Sequence, residues 1–94
     1  MIDERIKKIA EHYGFGAQAQ KTIEESSELI TAIVKFQNFR SHESFVHLIE
    51  EVVDVGIMIE QLKLFICSTK EDNERYEKTR EYKLNRQIKR ICSE

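Results

Sequence analysis

The sequence predicts an all-α fold, a compact four-helix bundle-like domain that oligomerises. Two observations carry the class. The 94 residues include no proline and only three glycines, which leaves little material for tight hairpins. Apolar residues recur at steps of three and four, the spacing that keeps them on one side of a helix. With 40% hydrophobic residues the chain is long enough to bury a modest core and too short to divide, so residues 1–94 are read as one domain.

The first helix is expected over residues 3–12, with Ile6 and Ile9 on one side. It stops at Gly14, where glycine takes a left-handed cap without a Cβ penalty, and residues 14–16 form a loop. A long second helix over 17–39 carries Ile23, Ile30, Ile33 and Val34 at helical spacing. Residues 38–41 read as a turn, and Ser41 is a candidate N-cap for a third helix reaching Cys67. This third helix is the expected core element. Its apolar residues, among them Phe45, Ile49, Val52, Val53, Ile59 and Phe65, wrap more of the circumference than one neighbour covers, and a second subunit would explain the excess. Gly56, in mid-helix, costs about 1 kcal/mol relative to alanine, which either marks close approach of another helix or is simply tolerated. Ser68, three residues ahead of Glu71, resembles a capping box that opens a last helix through Tyr76, Tyr82, Leu84, Ile88 and Ile91.

Charge and cysteine usage narrow the function classes. The net charge is −2 and basic residues are interspersed with acidic ones, so no broad footprint for duplex nucleic acid is present. Cys67 and Cys92 lack metal-binding spacing and read as reduced structural thiols. The most apolar stretch, residues 52–67, is interrupted by Asp54, Glu60, Gln61 and Lys63 and falls short of a membrane span. A soluble, cytoplasmic protein is expected, with neither duplex nucleic acid nor membrane as partner.

The chemistry-bearing feature is a pair of acidic clusters on the two longest helices, Glu24-Glu25-Ser26-Ser27-Glu28 and Glu50-Glu51-Val52-Val53-Asp54. Positions three apart share a helix face, so Glu25 with Glu28, and Glu51 with Asp54, each present two oxygen donors to one point. If the helices pack antiparallel, four carboxylates converge. Like charges facing inward need a cation between them, and hard oxygen donors select magnesium, manganese or calcium. Magnesium keeps waters or phosphate oxygens in its shell, which points to phosphoryl or nucleotidyl chemistry. The bland alternative is that these are solvated helical carboxylates, with Glu25 paired to Lys21. Against it, Asp54 sits among Val52, Val53, Val55 and Ile57, where a solvated face is hard to draw.

These residues resemble the MazG-like nucleotide pyrophosphohydrolases, a branch of the all-α NTP pyrophosphatase superfamily. The family signature, E-E-x-x-E followed after a spacer by E-x-x-D, reads here as Glu24, Glu25 and Glu28, then Glu51 and Asp54, with 22 residues between Glu28 and Glu51. The similarity extends over roughly residues 20–91, where Tyr82-Lys83-Leu84-Asn85-Arg86 looks like the closing basic segment. The resemblance implies an oligomerising helical bundle, a homodimer or homotetramer. It would hydrolyse nucleoside triphosphates, NTP or dNTP and including non-canonical ones, to monophosphate and pyrophosphate with Mg2+, Mn2+ being a substitute. Carried over by position, Glu25, Glu28, Glu51 and Asp54 are the metal ligands and catalytic carboxylates, and Glu24 holds a second metal, positions water or supports the ligands.

Lys83, Arg86 and Arg90 share one face of the last helix and are candidates for the phosphates, with Lys21 and Lys35 weaker candidates on the second helix. An ordinary solvated basic stripe near a helix C-terminus is the competing reading. His47, one turn before Glu51, is a candidate base or substrate contact, and Phe36 and Phe39 are candidates for stacking on a nucleobase. Lone helical histidines and aromatics at helical spacing are more often structural. From a different class, the alternative is a non-catalytic helical oligomeric module binding a nucleotide, a structural cation or a protein partner. A di-iron centre wants Glu-x-x-His pairs, which the sequence lacks.

Overall fold

The computed structural model describes residues 2–94, and among these residues every regular element is a helix: α1 (Glu4–Asn38), α2 (His42–Ile66) and α3 (Lys70–Ser93). Three helices stand where four were expected. Residues 3–12 and 17–39, read as two helices, belong to one element broken only at Gly14, whose φ of 85° and ψ of 166° are non-helical. The expected loop over 14–16 contracts to that single residue, because glycine alone enters this region without a Cβ clash.

The remaining helix ends follow from local hydrogen bonding. Ser41 caps α2 through a reciprocal pair: the Ser44 N–H donates to Ser41 Oγ, and the Ser41 N–H donates to Ser44 Oγ, each at 3.0 Å. Three residues separate α1 from α2, enough for a tight reversal. The last helix is capped one residue later than the sequence indicated. Thr69, extended at φ −119° and ψ 162°, accepts from the Asp72 N–H at 3.1 Å, and Ser68 lies outside the cap.

α1 and α2 pack as an antiparallel pair. Phe15 meets Phe65 with ring centroids 5.5 Å apart, Gln18 meets Gln61, and Phe36 meets Phe45 at 6.1 Å, so contacts advance along one helix as they retreat along the other. The buried apolar residues are few: Ile6, Ala10, Ala32 and Met58. Between them the Gln18 amide donates to the side-chain carbonyl of fully buried Gln61 at 2.8 Å, a satisfied polar pair that fixes register.

α3 buries none of its residues. It is held to α2 at one end, where Lys63 Nζ lies 3.6 Å from the Glu77 carboxylate and 4.4 Å from the centroid of the Tyr76 ring. The radius of gyration is 16.4 Å, against about 12 Å for a compact chain of this length, and the extents are 44 × 43 × 22 Å. The single chain is therefore a two-helix layer with an arm. α2 is also less of a core element than its sequence indicated: Phe45, Ile49, Val52, Val53 and Ile59 are exposed, and so is Asp54. The reason is the absence of a third layer to cover them. No described helix is long and apolar enough to cross a membrane.

Candidate metal centre

Glu25 and Glu28 lie three residues apart on α1, and Glu51 projects from α2 at the antiparallel contact. The three residues bring one carboxylate oxygen each to within 4.8 Å of one another. Burial is uneven: Glu25 and Glu51 are each 8% exposed, whereas Glu28 is open to solvent. Each buried glutamate has one oxygen engaged by a residue one turn earlier on its own helix. Lys21 Nζ lies 3.3 Å from Glu25 Oε1, and His47 Nε2 lies 3.3 Å from Glu51 Oε1. The other oxygens, Glu25 Oε2 and Glu51 Oε2, are buried without a hydrogen-bond partner.

Two orphaned carboxylate oxygens beside a third carboxylate are electrostatically unfinished. The charge of Glu25 foremost, then loss of hydration, then the charge of Glu51, hold the Glu28 carboxyl above its ordinary pKa. Lys21 is shifted in the same direction: its hydrogen bond to Glu25 and the surrounding carboxylate charges, Glu24 and Glu28 included, hold the ammonium above its ordinary pKa. The donor set fits a hard divalent cation. It is all-oxygen, drawn from two helices, and contains two buried lone-pair donors without a hydrogen-bond partner among the described residues. One open side remains at Glu28, which is exposed and leaves room for further oxygen ligands.

Asp54, one turn beyond Glu51, is exposed and stands outside the three-carboxylate group. It lines an adjoining groove of about 460 Å³ together with Glu25, Lys21, Tyr13 and Ile9. Tyr13 was not singled out from the sequence, because it follows the expected end of the first helix and belongs to no periodic pattern. Glu24 is exposed beside the cluster. Lys35 lines a shallow recess with His47 and Glu50 at the other end of the same polar side.

The basic residues of α3 lie elsewhere. Lys83 borders a groove at the α2–α3 corner with Ile66 and Tyr76, the Arg86 guanidinium stacks 5.7 Å from the Tyr82 ring of its own helix, and Arg90 is exposed. Phe36 is half-buried against Phe45 with Arg40 over its ring, which commits it to packing, whereas Phe39 is exposed. Cys67 and Cys92 are free thiols. Compared with family models, curated proteins and solved structures, the chain finds no match.

Proposed function

We propose that the chain is a magnesium-dependent nucleoside triphosphate pyrophosphohydrolase of MazG-like type, cytoplasmic, active as a homodimer or homotetramer and accepting manganese in place of magnesium. The observation that carries this reading is the meeting of Glu25, Glu28 and Glu51 across α1 and α2, with two buried carboxylate oxygens left without partners. Uncompensated buried carboxylates are retained where a cation or substrate completes them.

In this reading Glu25, Glu28 and Glu51 hold Mg2+, and Asp54 joins from the rim of the groove by a change of side-chain rotamer. The bound ion supplies charge neutralisation to the triphosphate and lowers the pKa of a bound water. Lys21, already beside Glu25, offers an ammonium to a phosphate oxygen. His47 fixes the orientation of Glu51 through Oε1. Glu24, exposed on the same helix turn, accepts a hydrogen bond from water at the mouth. The overall reaction joins water to the α-phosphorus and releases pyrophosphate, leaving the nucleoside monophosphate.

A second reading has its own supporting observation. Asp54 stands outside the cluster, and Lys83, Arg86 and Arg90 lie on an arm remote from it, an arrangement that suits a non-catalytic helical oligomeric module binding a nucleotide, a structural cation or a protein partner. The two readings separate in one experiment. Purified protein is incubated with magnesium and a panel of NTPs, dNTPs and damaged nucleotides, with Glu51→Gln alongside. Metal-dependent release of monophosphate and pyrophosphate, lost in the variant, is expected. Magnesium or nucleotide binding without turnover of any nucleotide would favour the binding module.

A further inference from the structure

Beyond its junction with α2 at Lys63, α3 stands free, and residues 77–94 are all exposed. At about 100° per residue, Leu84, Ile88 and Ile91 fall on one line along the helix, at steps of four and three. They are 46%, 58% and 62% exposed. Basic side chains run along both flanks of that line, Lys78 and Lys89 on one and Lys83 and Arg90 on the other, with Arg80 one turn ahead of Leu84. Tyr82 and Arg86 lie on the opposite side, where the guanidinium stands 5.7 Å from the ring. Charge is polarised along the chain to match. Residues 78–94 hold six basic and two acidic side chains, a balance of +4, whereas residues 1–77 hold nine basic and fifteen acidic, a balance of −6. Of the three helices α3 is the least apolar overall and the most sharply divided between an apolar and a polar side. A helix of that composition, flanked by Lys and Arg, is suited to lying in the plane of a membrane surface.

We propose that residues 78–92 of α3 dock the protein on an anionic lipid surface. Leu84, Ile88 and Ile91 enter the boundary between headgroups and acyl chains, and the flanking ammonium and guanidinium groups lie among the lipid phosphates. Charge complementarity selects this occupant, since each Lys or Arg held near an anionic bilayer strengthens binding about fivefold. The stripe selects it over other polyanions. A single-stranded nucleic acid would take the basic flanks and leave three aliphatic side chains in water. A second α3 laid on the stripe would set two segments of +4 against each other. A protein groove that accepts an amphipathic helix draws on bulky anchors, and this stripe carries no aromatic residue. The α1–α2 layer is repelled by the same surface, because residues 3–66 hold seven basic and eleven acidic side chains, which leaves α3 as the contact. Docking of this kind needs no membrane-crossing helix, and none is present among the described residues. The interrupted apolar run over residues 52–67 bears on crossing alone.

Flotation of the full chain with vesicles tests this independently of any catalytic activity, in EDTA so that no divalent ion bridges acidic side chains to phosphate. Capture by vesicles of equal parts phosphatidylcholine and phosphatidylglycerol is expected at low salt, with release as salt rises and no capture by phosphatidylcholine alone. Lys83→Gln with Arg90→Gln should lower the partition coefficient about thirtyfold, and Ile88→Ser at least about tenfold. Lys7→Gln with Lys8→Gln, on exposed α1 surface, should change it less than about twofold. All five residues are exposed, so each variant should keep the helical circular dichroism of the wild type. Equal capture by neutral and anionic vesicles would overturn the proposal, as would capture by neither, the result expected if another copy of the chain covers the stripe. Capture unmoved by Ile88→Ser would overturn it too, reducing α3 to a general binder of polyanions. So would a loss in the Lys7→Gln, Lys8→Gln variant equal to that in Lys83→Gln, Arg90→Gln.

Discussion

Glu25 on α1 and Glu51 on α2 approach across the helix contact, and each keeps Oε2 buried with no hydrogen-bond partner. Their neighbours, Lys21 and His47, engage only the Oε1 atoms. Mutual repulsion in a partly dehydrated place destabilises the metal-free fold. Glu51→Gln should therefore raise metal-free stability, by about 1 kcal/mol, while lowering pyrophosphohydrolysis at least about a hundredfold. Urea unfolding in EDTA, read beside product release, checks both signs. Stability that falls on substitution would mean that Glu51 is held by favourable contacts already complete in the chain.

Magnesium should stabilise the folded chain, because it binds carboxylates assembled only when α1 and α2 are packed. At a hundredfold excess over its dissociation constant the gain is about 2.7 kcal/mol, which corresponds to a melting-temperature rise of order 10 °C for a domain of this size. Calorimetric melting with and without magnesium measures it. The shift should vanish in Glu25→Gln and Glu51→Gln, and a shift retained in both would place the ion elsewhere.

Glu28 gives a pH signature of unusual sign. Its folded pKa is raised, foremost by the charge of Glu25, so the folded chain keeps a proton that the unfolded chain has already released. The stabilisation is complete below the unfolded value near 4.5 and is lost as pH rises through the folded value, opposite to a salt-bridged carboxylate. Metal-free stability should thus decline across this window more steeply in wild type than in Glu28→Gln. A carbon-13 titration should show the Glu28 carboxyl moving back toward its ordinary pKa in Glu25→Gln, and added magnesium should displace the proton.

Lys21 and Arg86 separate two ways of binding the triphosphate. Lys21 stands beside Glu25 at the groove, whereas Arg86 stacks on Tyr82 along the arm. Lys21→Ala should lower kcat/KM about 10- to 100-fold, the scale of one charge-assisted contact, and Arg86→Ala should leave it within about twofold. Steady-state kinetics on the best nucleotide decides. A large loss in Arg86→Ala would show that α3 of another copy reaches the site.

The helical class and the Ser41 cap were legible because they rest on local rules: propensity, spacing and one side-chain oxygen reaching a nearby N–H. So was the Glu25–Glu28 pair, which needs only the helical repeat. The joining of Glu51 to that pair was legible only under the condition that the helices pack antiparallel. Asp54 shows the limit. Its run of valines reads as buried, yet burial depends on what lies opposite, and on that side of α2 the chain supplies no cover. The position of Lys83, Arg86 and Arg90 was likewise hidden, since the direction α3 takes after Cys67 is set by Lys63 meeting Tyr76 and Glu77 and by no periodic pattern.

Gly14 joins the N-terminal segment of α1 to the part that carries Glu25, and its φ of 85° with ψ of 166° belongs to a region essentially reserved for glycine. A Cβ there meets no atom within 4 Å, so the penalty on Gly14→Ala is purely conformational, about 1–3 kcal/mol. The break also sets where Ile9 and Tyr13 stand relative to Lys21 and Glu25, the residues with which they line one groove. A chain that relieves the strain by continuing the helix through residue 14 would swing Ile9 and Tyr13 out of that groove. Gly14→Ala should accordingly lower the urea midpoint and raise KM together, with magnesium affinity at the three glutamates nearly unchanged because they lie beyond the break. Loss of magnesium binding in a folded Gly14→Ala protein would show that the N-terminal segment of α1 holds the carboxylates in place.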